Sequence, residues 1–157
     1  MRAPLLALFG FLALACPIGA DAAPPPSGLP VETIAIDTKS GPHNFSVEVA
    51  ADDESREKGL MFRMKMAPDA GMLFDFHTPQ LVSFWMENTV LPLDMLFVRA
   101  DGTIARIKEN ATPYSRENIP SGEPIEVVIE LNGGRAAALG ITEGARVHAP
   151  NLGPKPH

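Results

Sequence analysis

Residues 95–108 read MLFVRADGTIARIK, and this stretch decides the fold class. Two mainly apolar runs, Met95 to Ala100 and Thr103 to Lys108, flank the dipeptide Asp101-Gly102. Asp-Gly between strand-forming residues is typical of a two-residue β-hairpin turn, because both turn positions need a positive φ. The stretch therefore predicts a pair of antiparallel strands.

Further strands are predicted on both sides of this hairpin. Their segments alternate apolar and polar residues or are rich in β-branched residues; they are Thr33–Asp37, Asn44–Val49, Met72–Phe76, Leu81–Met86, Ile125–Leu131 and Arg146–His148. Two short helices are also predicted, one beginning with the acids after Asp52 and ending at Gly59, the other Gly133–Leu139 with Asn132 as N-cap. We therefore expect a mainly β (α+β) fold, a compact antiparallel barrel or rolled sheet with two short helices.

The chain of 157 residues is long enough for one domain. Residues 1–22 have the pattern of a secretory signal peptide, with a basic start, an apolar run and small residues before the expected cleavage point. Residues 23–32 form a proline-rich linker, residues 33–149 the predicted globular domain, and residues 150–157 a loose tail. This organisation predicts an exported, periplasmic protein.

A second interpretation of the N-terminus is a lipoprotein. The sequence Leu12-Ala13-Leu14-Ala15-Cys16 places a small residue before the sole cysteine, so Cys16 would be the lipidated and anchored residue. Pro17 directly after it and Ala13 three residues before it favour the soluble exported form instead. Both interpretations leave no transmembrane span in the mature chain.

The charge of the chain excludes one class of partner. The formal net charge is −6, and the sequence has no run of Lys and Arg interleaved with aromatic residues. Nucleic-acid-binding proteins need such a basic footprint for phosphate contacts. We therefore expect no nucleic-acid partner, and a small molecule or a component of the cell envelope instead.

The stretch just before the hairpin, residues 84–94, reads FWMENTVLPLD and contains the only tryptophan. Apolar residues lead into a polar Asn88-Thr89 step, and Asp94 stands inside the next apolar run. This pattern is typical of a scaffold that presents or seals a small polar site. From its position in a predicted strand, Trp85 is expected to be buried, so that Trp85→Ala would cost about 3–5 kcal/mol.

Several strings in one order identify a resemblance. They are Gly59-Leu60-Met61 with Arg63, then Gly71-Met72-Leu73-Phe74, then residues 84–94, then Asp101-Gly102. Over Ile34 to Val147 the chain resembles the family called domain of unknown function 192. The resemblance implies a fold and an exported location more than an activity. Glu87 departs from the lysine usual at that point, so a basic ligand contact is not implied there.

Six residues are candidates for a ligand site, and most match positions that recur in that family: Arg56, Arg63, Trp85, Asn88, Thr89 and Asp94. A buried carboxylate at Asp94 needs a cation or several backbone N–H donors. Arg56 or Arg63 could supply a bidentate partner, which would make Asp94 structural. Alternatively, Trp85 floors a cleft in which Asn88, Thr89 and Asp94 contact a ligand.

Neither a cofactor nor a zinc site is predicted, because the four histidines are scattered and no phosphate-binding glycine loop is present. Met61, Met64 and Met66 lie within six residues and form a weak copper(I) candidate, since thioethers are soft ligands. The methionines at positions 72, 86 and 95 fall in apolar strands, where methionine is ordinary core filler.

The sequence thus leaves three functions open. The leading one is a non-enzymatic, exported small-ligand or envelope-component binding module, because no catalytic motif is present. The second is a hydrolase-like enzyme that uses Asp94, positioned by Asn88 and Thr89. The third is a structural or interaction protein of the envelope.

Overall fold

The computed structural model describes residues 27–150 and Leu152. The predicted signal peptide, the lipoprotein cysteine Cys16 and most of the predicted tail lie outside the described residues. The elements are, in chain order, β1 (Val31–Thr38), β2 (Gly41–Ala50), α1 (Asp53–Lys58), β3 (Ala70–Gln80), β4 (Ser83–Phe84), β5 (Leu93–Val98), β6 (Ile104–Ala111), β7 (Ile119–Pro120), β8 (Ile125–Asn132), α2 (Arg135–Leu139) and β9 (Val147–His148). The first strand begins at Val31, inside the predicted linker.

Seven of these strands form one curled sheet in the order β6-β5-β8-β3-β2-β1-β9. All neighbours pair antiparallel except β2 and β3, which are parallel because α1 lies between them in the chain. The two ends of the sheet approach each other, since Thr103 bridges Arg146 and the Val147 N–H donates to the Gly102 carbonyl. The fold is therefore the predicted mainly β rolled sheet, a half-barrel with two short helices.

Both faces of the central strands are buried. One cluster fills the inside of the curl, with Phe45, Leu73, Leu96 and Ile129 among its members. A second cluster lies on the outer face, and it is covered by α1 and the chain around β4 and β7; Met72, Phe74, Met86, Met95, Phe97 and Val128 belong to it. These faces alternate along β5 and β8, so successive residues of a strand face different clusters.

A glycine lets two of the central strands approach closely. A Cβ on Gly71 would stand 2.5 Å from the carbonyl oxygen of Glu130 on β8. No other residue fits that space without moving the backbone. Gly71 of the family string therefore serves the pairing of β3 with β8.

Several predicted boundaries differ in the structure, and two of the differences change how a segment is paired or capped. The segment Leu81–Met86 forms a strand only at Ser83–Phe84, where it pairs with β7. The second helix begins at Arg135 and not at Gly133, and Asn132 does not cap it, because the Asn132 amide donates to the Ala67 carbonyl at 2.8 Å. The N-cap residue is Gly134, whose side chain cannot accept a hydrogen bond.

Candidate functional site

Asp94 is fully buried, as its place in β5 predicts, and it is bound by backbone donors. Its Oδ1 accepts from the Asn110 N–H at 2.9 Å and from the Gly134 N–H at 3.0 Å. Its Oδ2 accepts from the Ala136 N–H at 2.8 Å. Asp94, which lies in β5, therefore caps the start of α2 in place of the predicted Asn132.

The predicted pairing of Asp94 with an arginine is wrong. Arg63 binds Glu48 through both guanidinium ends, with 2.9 Å from Nη2 to Oε2. Arg56 donates to the carbonyls of Ala51 and Asp75 and pairs with Asp53. The sequence could not decide this, because the N–H donors come from β6 and from the start of α2, which meet the carboxylate only in the folded sheet.

The charge state of Glu48 follows from its arginine. Burial opposes the ionisation of Glu48, but hydrogen bonds from Arg63 and Ser27, with the charge of Arg63, together lower its pKa below the ordinary value. The pair ties the chain after α1 to β2. Arg63 is thus engaged in a structural contact and does not face the cleft described next.

A cleft of about 410 Å³ opens between α1, the outer face of the sheet and the chain around β4. Its lining includes charged residues at the rim, namely Asp53, Arg56, Glu57 and Lys58, and apolar or aromatic walls, namely Leu60, Met61, Phe74, Phe76, Val82, Phe84 and Trp85. Gly59, Ser83, Thr89 and Glu130 complete it. A concave, mostly apolar site with a few polar groups is typical of small-molecule binding.

Glu130 is the residue of this cleft that sequence reasoning missed. It lies in the middle of β8 and is only 4% exposed. Across the sheet its neighbours are Met72 on β3 and Met95 on β5, so no charge adjoins it directly. Within the described part of the chain its carboxyl group makes no hydrogen bond or ion pair, and burial raises the pKa of Glu130 to about 8.

The sequence did contain a signal for Glu130. The predicted strand Ile125–Leu131 holds two acids in an otherwise apolar run, Glu126 and Glu130. An acid that alternation places on a buried face is either paired or functional. Only the structure distinguishes the two, since Glu126 has a partner and does not line the cleft.

Trp85 is half exposed and forms a wall of the cleft, so the prediction that it is buried is wrong. Alternation explains the placement: Phe84 and Met86 turn toward the outer core cluster, and Trp85 between them turns outward. With 49% of its surface accessible, the indole is available to a ligand. The expected cost of Trp85→Ala to stability falls accordingly.

The aromatic walls are held by contacts with one another. The ring of Phe84 meets the rings of Phe74 and Phe76 edge to face, with centroids 5.1 and 6.4 Å apart. The Arg56 guanidinium lies over the Phe76 ring, 5.3 Å from its centroid. Aromatic rings fixed in this way make a rigid surface for stacking or for a cation.

Of the six predicted site residues, the cleft brings together Arg56, Trp85 and Thr89. Asn88 is exposed beside it, and its amide contacts the Met61 sulfur at 4.0 Å. Asp94 alternates with the cleft-side residues of β5 and faces the inner core, so a ligand in the cleft does not reach it. The Asp94 carboxylate therefore cannot reach a substrate in this cleft and cannot act there as a catalytic group.

Backbone strain is concentrated next to the cleft. Phe62, Asn88 and Tyr114 all have a positive φ, a backbone conformation that residues other than glycine adopt only uncommonly. They adjoin one another, because the Phe62 N–H donates to the Asn88 carbonyl and the Tyr114 N–H to that of Thr89. Strain of this kind gathers where function holds a chain in place.

The three methionines of the copper candidate lie in different surroundings. Met61 lines the cleft, Met64 is 73% exposed, and Met66 packs partly against the outer core. Copper binding through them stays a prediction.

Among residues 27–150 and Leu152 there is no group of three or more His, Cys, Asp or Glu side chains placed to hold a metal ion. Nor is any helix of that part long and apolar enough to cross a membrane.

Comparison with known proteins identifies the family. The sequence profile of domain of unknown function 192, described as "Uncharacterized ACR", matches residues 34–149. The chain therefore belongs to that family, as its resemblance predicted. No curated protein matches the chain.

Two crystal structures have the same fold. A protein of Sinorhizobium meliloti 1021, provisionally described as a transcription regulator, is 49% identical with a TM-score of 0.77, over 79% of this chain and 97% of that one. A protein of unknown function from Novosphingobium aromaticivorans DSM 12444 is 40% identical with a TM-score of 0.78, over 83% of this chain and 94% of that one. Neither description names a ligand or a reaction.

Proposed function

We propose that this protein is an exported, non-enzymatic binding module that takes a small, largely apolar molecule in the Trp85 cleft. The observation that carries the proposal is Glu130, a carboxyl without a partner at the base of a cleft with aromatic walls. An uncompensated buried acid destabilises a fold, and a ligand that pairs with Glu130 would offset that cost.

The shape of the site supports a small ligand. The cleft volume of about 410 Å³ lies within the range of known small-molecule sites. One polar group of the ligand would meet Glu130 or Thr89, and its apolar part would lie against Phe84 and Trp85. The Phe84 ring is already held by Phe74 and Phe76, so binding needs little ordering of that wall.

Trp85 supplies a direct test. As the only tryptophan, it reports ligand entry by its fluorescence during a screen of amines, alcohols, carboxylates, sugars and short peptides. We expect a saturable change with at least one class, and calorimetry should show that Trp85→Ala weakens this binding. Leu81→Ala is the matched control, because Leu81 is exposed on the same segment and does not line the cleft. If no class binds, or if both variants behave alike, the cleft is not a binding site.

The exported location is part of the proposal and is tested separately. The basic start, apolar run and small residues of positions 1–22 support it. A cell-fractionation experiment on the full chain should recover a shortened, soluble form in the periplasm. Recovery with the membranes that is abolished by Cys16→Ser would favour the lipoprotein form instead.

A second candidate function rests on the strained aromatic residues beside the cleft. Phe62 and Tyr114 are 69% and 63% exposed although their backbone is held at a positive φ. Exposed aromatic residues of this kind favour an interaction protein of the envelope. A partner retained by the wild type but lost by Phe62→Ser and Tyr114→Ser, with the cleft intact, would support that function.

A further inference from the structure

We propose that the ligand of the Trp85 cleft is an organic ammonium ion with an apolar body, whose charged head pairs with Glu130. This inference rests on the proposed binding function and names its ligand class. Three features of the described residues support it, namely the charge balance of the cleft, the position of Glu130 and the aromatic walls.

The charge balance leaves a place for one positive charge. At the rim, the negative charges of Asp53 and Glu57 match the positive charges of Arg56 and Lys58. Arg56 is further held by its pair with Asp53 and by two backbone carbonyls. Glu130 alone has no counter-charge among the residues that line the cleft, so an ionised Glu130 would be neutralised by a monovalent cation.

No cation among the described residues is paired with Glu130. On its face of the sheet, the next positions are Met72 and then Glu48 on one side, and Met95 and then Lys108 on the other. Glu48 is bound to its arginine, and no hydrogen bond or ion pair joins Lys108 to Glu130. The charged and titratable groups on this face of the packed elements are thus Glu48 with Arg63, Lys108, Arg106 over the Phe97 ring, Glu126 and the four rim residues.

The walls suit an ammonium group as well as an apolar body. The aromatic face of Phe76 already carries a guanidinium, which shows that a cation is accommodated at these rings. Phe74, Phe84 and Trp85 offer further ring surface between the rim and Glu130. A carboxylate with aromatic walls is the donor set that recognises ammonium ligands, through charge pairing and cation–π contact.

Three probes of nearly equal size test the ligand class: 2-phenylethylamine, 2-phenylethanol and 3-phenylpropionate. At about pH 9, titrations followed by Trp85 fluorescence and by calorimetry should show the amine binding at least about tenfold more tightly than the alcohol, as one charge-assisted bond implies. At that pH Glu130 is ionised, so the carboxylate should bind most weakly, because two negative charges would repel in the cleft.

Two variants tie this preference to Glu130. Glu130→Gln should remove the advantage of the amine over the alcohol, because the amide keeps the shape and loses the charge. Glu54→Gln is the matched control, since it removes an exposed acid of α1 that does not line the cleft and should leave the advantage nearly unchanged. Circular dichroism of both variants checks that each is folded.

The pH dependence gives an independent readout. In the free protein Glu130 is mostly protonated at neutral pH, so Glu130 must lose its proton when the ammonium ion binds. An alkylammonium stays charged up to about pH 10, and its affinity should therefore rise roughly tenfold per pH unit below the pKa of Glu130 and level off above it. A hydrogen-bond-accepting neutral ligand would show the opposite trend.

The outcomes separate the two proposals. If the alcohol binds as tightly as the amine and both are lost in Trp85→Ala, the cleft binds ligands but the ammonium class is wrong. If the carboxylate binds best, the ammonium class is also wrong, and Arg56 or Lys58 sets the specificity. If none of the probes binds and the broader screen also fails, both the binding function and its ligand class are overturned.

Discussion

Replacing Glu130 with glutamine should stabilise the protein, and the gain should grow with pH. In the folded protein, burial raises the pKa of Glu130 from an ordinary 4.5 to about 8. The folded state therefore holds its proton more tightly than the unfolded state does. Its contribution to stability is fully present below about pH 4.5, decreases as the pH rises toward 8, and is constant above that.

The pKa shift sets the size of the effect. The interval from 4.5 to about 8, at about 1.4 kcal/mol per pH unit, gives a ceiling of roughly 5 kcal/mol. Water that enters the cleft reduces the penalty, so we expect Glu130→Gln to raise the free energy of unfolding by roughly 2–4 kcal/mol above pH 8. Near pH 4.5 the two proteins should differ little.

Urea unfolding followed by circular dichroism over this pH range measures the difference directly. Glu57→Gln is the control, because Glu57 is exposed and its removal should not change the pH dependence. A stability difference between Glu130→Gln and the wild type that is independent of pH would refute the reasoning. It would mean that Glu130 titrates as it does in the unfolded chain.

Four further changes test the rest of the description. Asp94→Asn should lower the free energy of unfolding by roughly 2–4 kcal/mol, because one of three buried N–H donors then faces another donor; a urea midpoint equal to wild type would contradict this. Trp85→Ala should cost only about 1 kcal/mol in the same assay, since the indole is half exposed, and a cost above 3 kcal/mol would place it in the core. Glu48→Gln should cost roughly 2–4 kcal/mol at neutral pH, because its partly buried arginine partner loses its counter-charge. The pKa of Glu48 is lowered in the folded state, so this contribution is present above about pH 4.5 and is lost as the pH falls through the folded value; a difference that persists at lower pH would argue against the pair. Gly71→Ala should lower the thermal midpoint, at a cost of roughly 1–3 kcal/mol, because its Cβ would meet the β8 backbone at 2.5 Å; an unchanged midpoint would show that β3 and β8 separate freely.

The sequence by itself determined the local structure of this protein. The hairpin around Asp101-Gly102, the strand at Ile125–Leu131 and the first helix from Asp52 to Gly59 all depend on neighbours in the chain. Alternation and capping act over a few residues, so they can be read from the sequence. The hairpin is found as well, but its turn is not the predicted two-residue type, because Gly102 has a positive φ and Asp101 does not. The family strings also identify the fold, because they mark turns and places where strands approach closely, such as the approach of β3 to β8 at Gly71.

Only the tertiary structure decided which side chains meet. Asp94 was recognised as a buried carboxylate, but its donors come from Asn110 and from Gly134 and Ala136. Trp85 lies next to core residues in the chain yet turns outward. Glu130 gains its raised pKa from the strands on both sides, which are distant in sequence. Partner choice and desolvation depend on the packing of remote segments, and no local pattern records them.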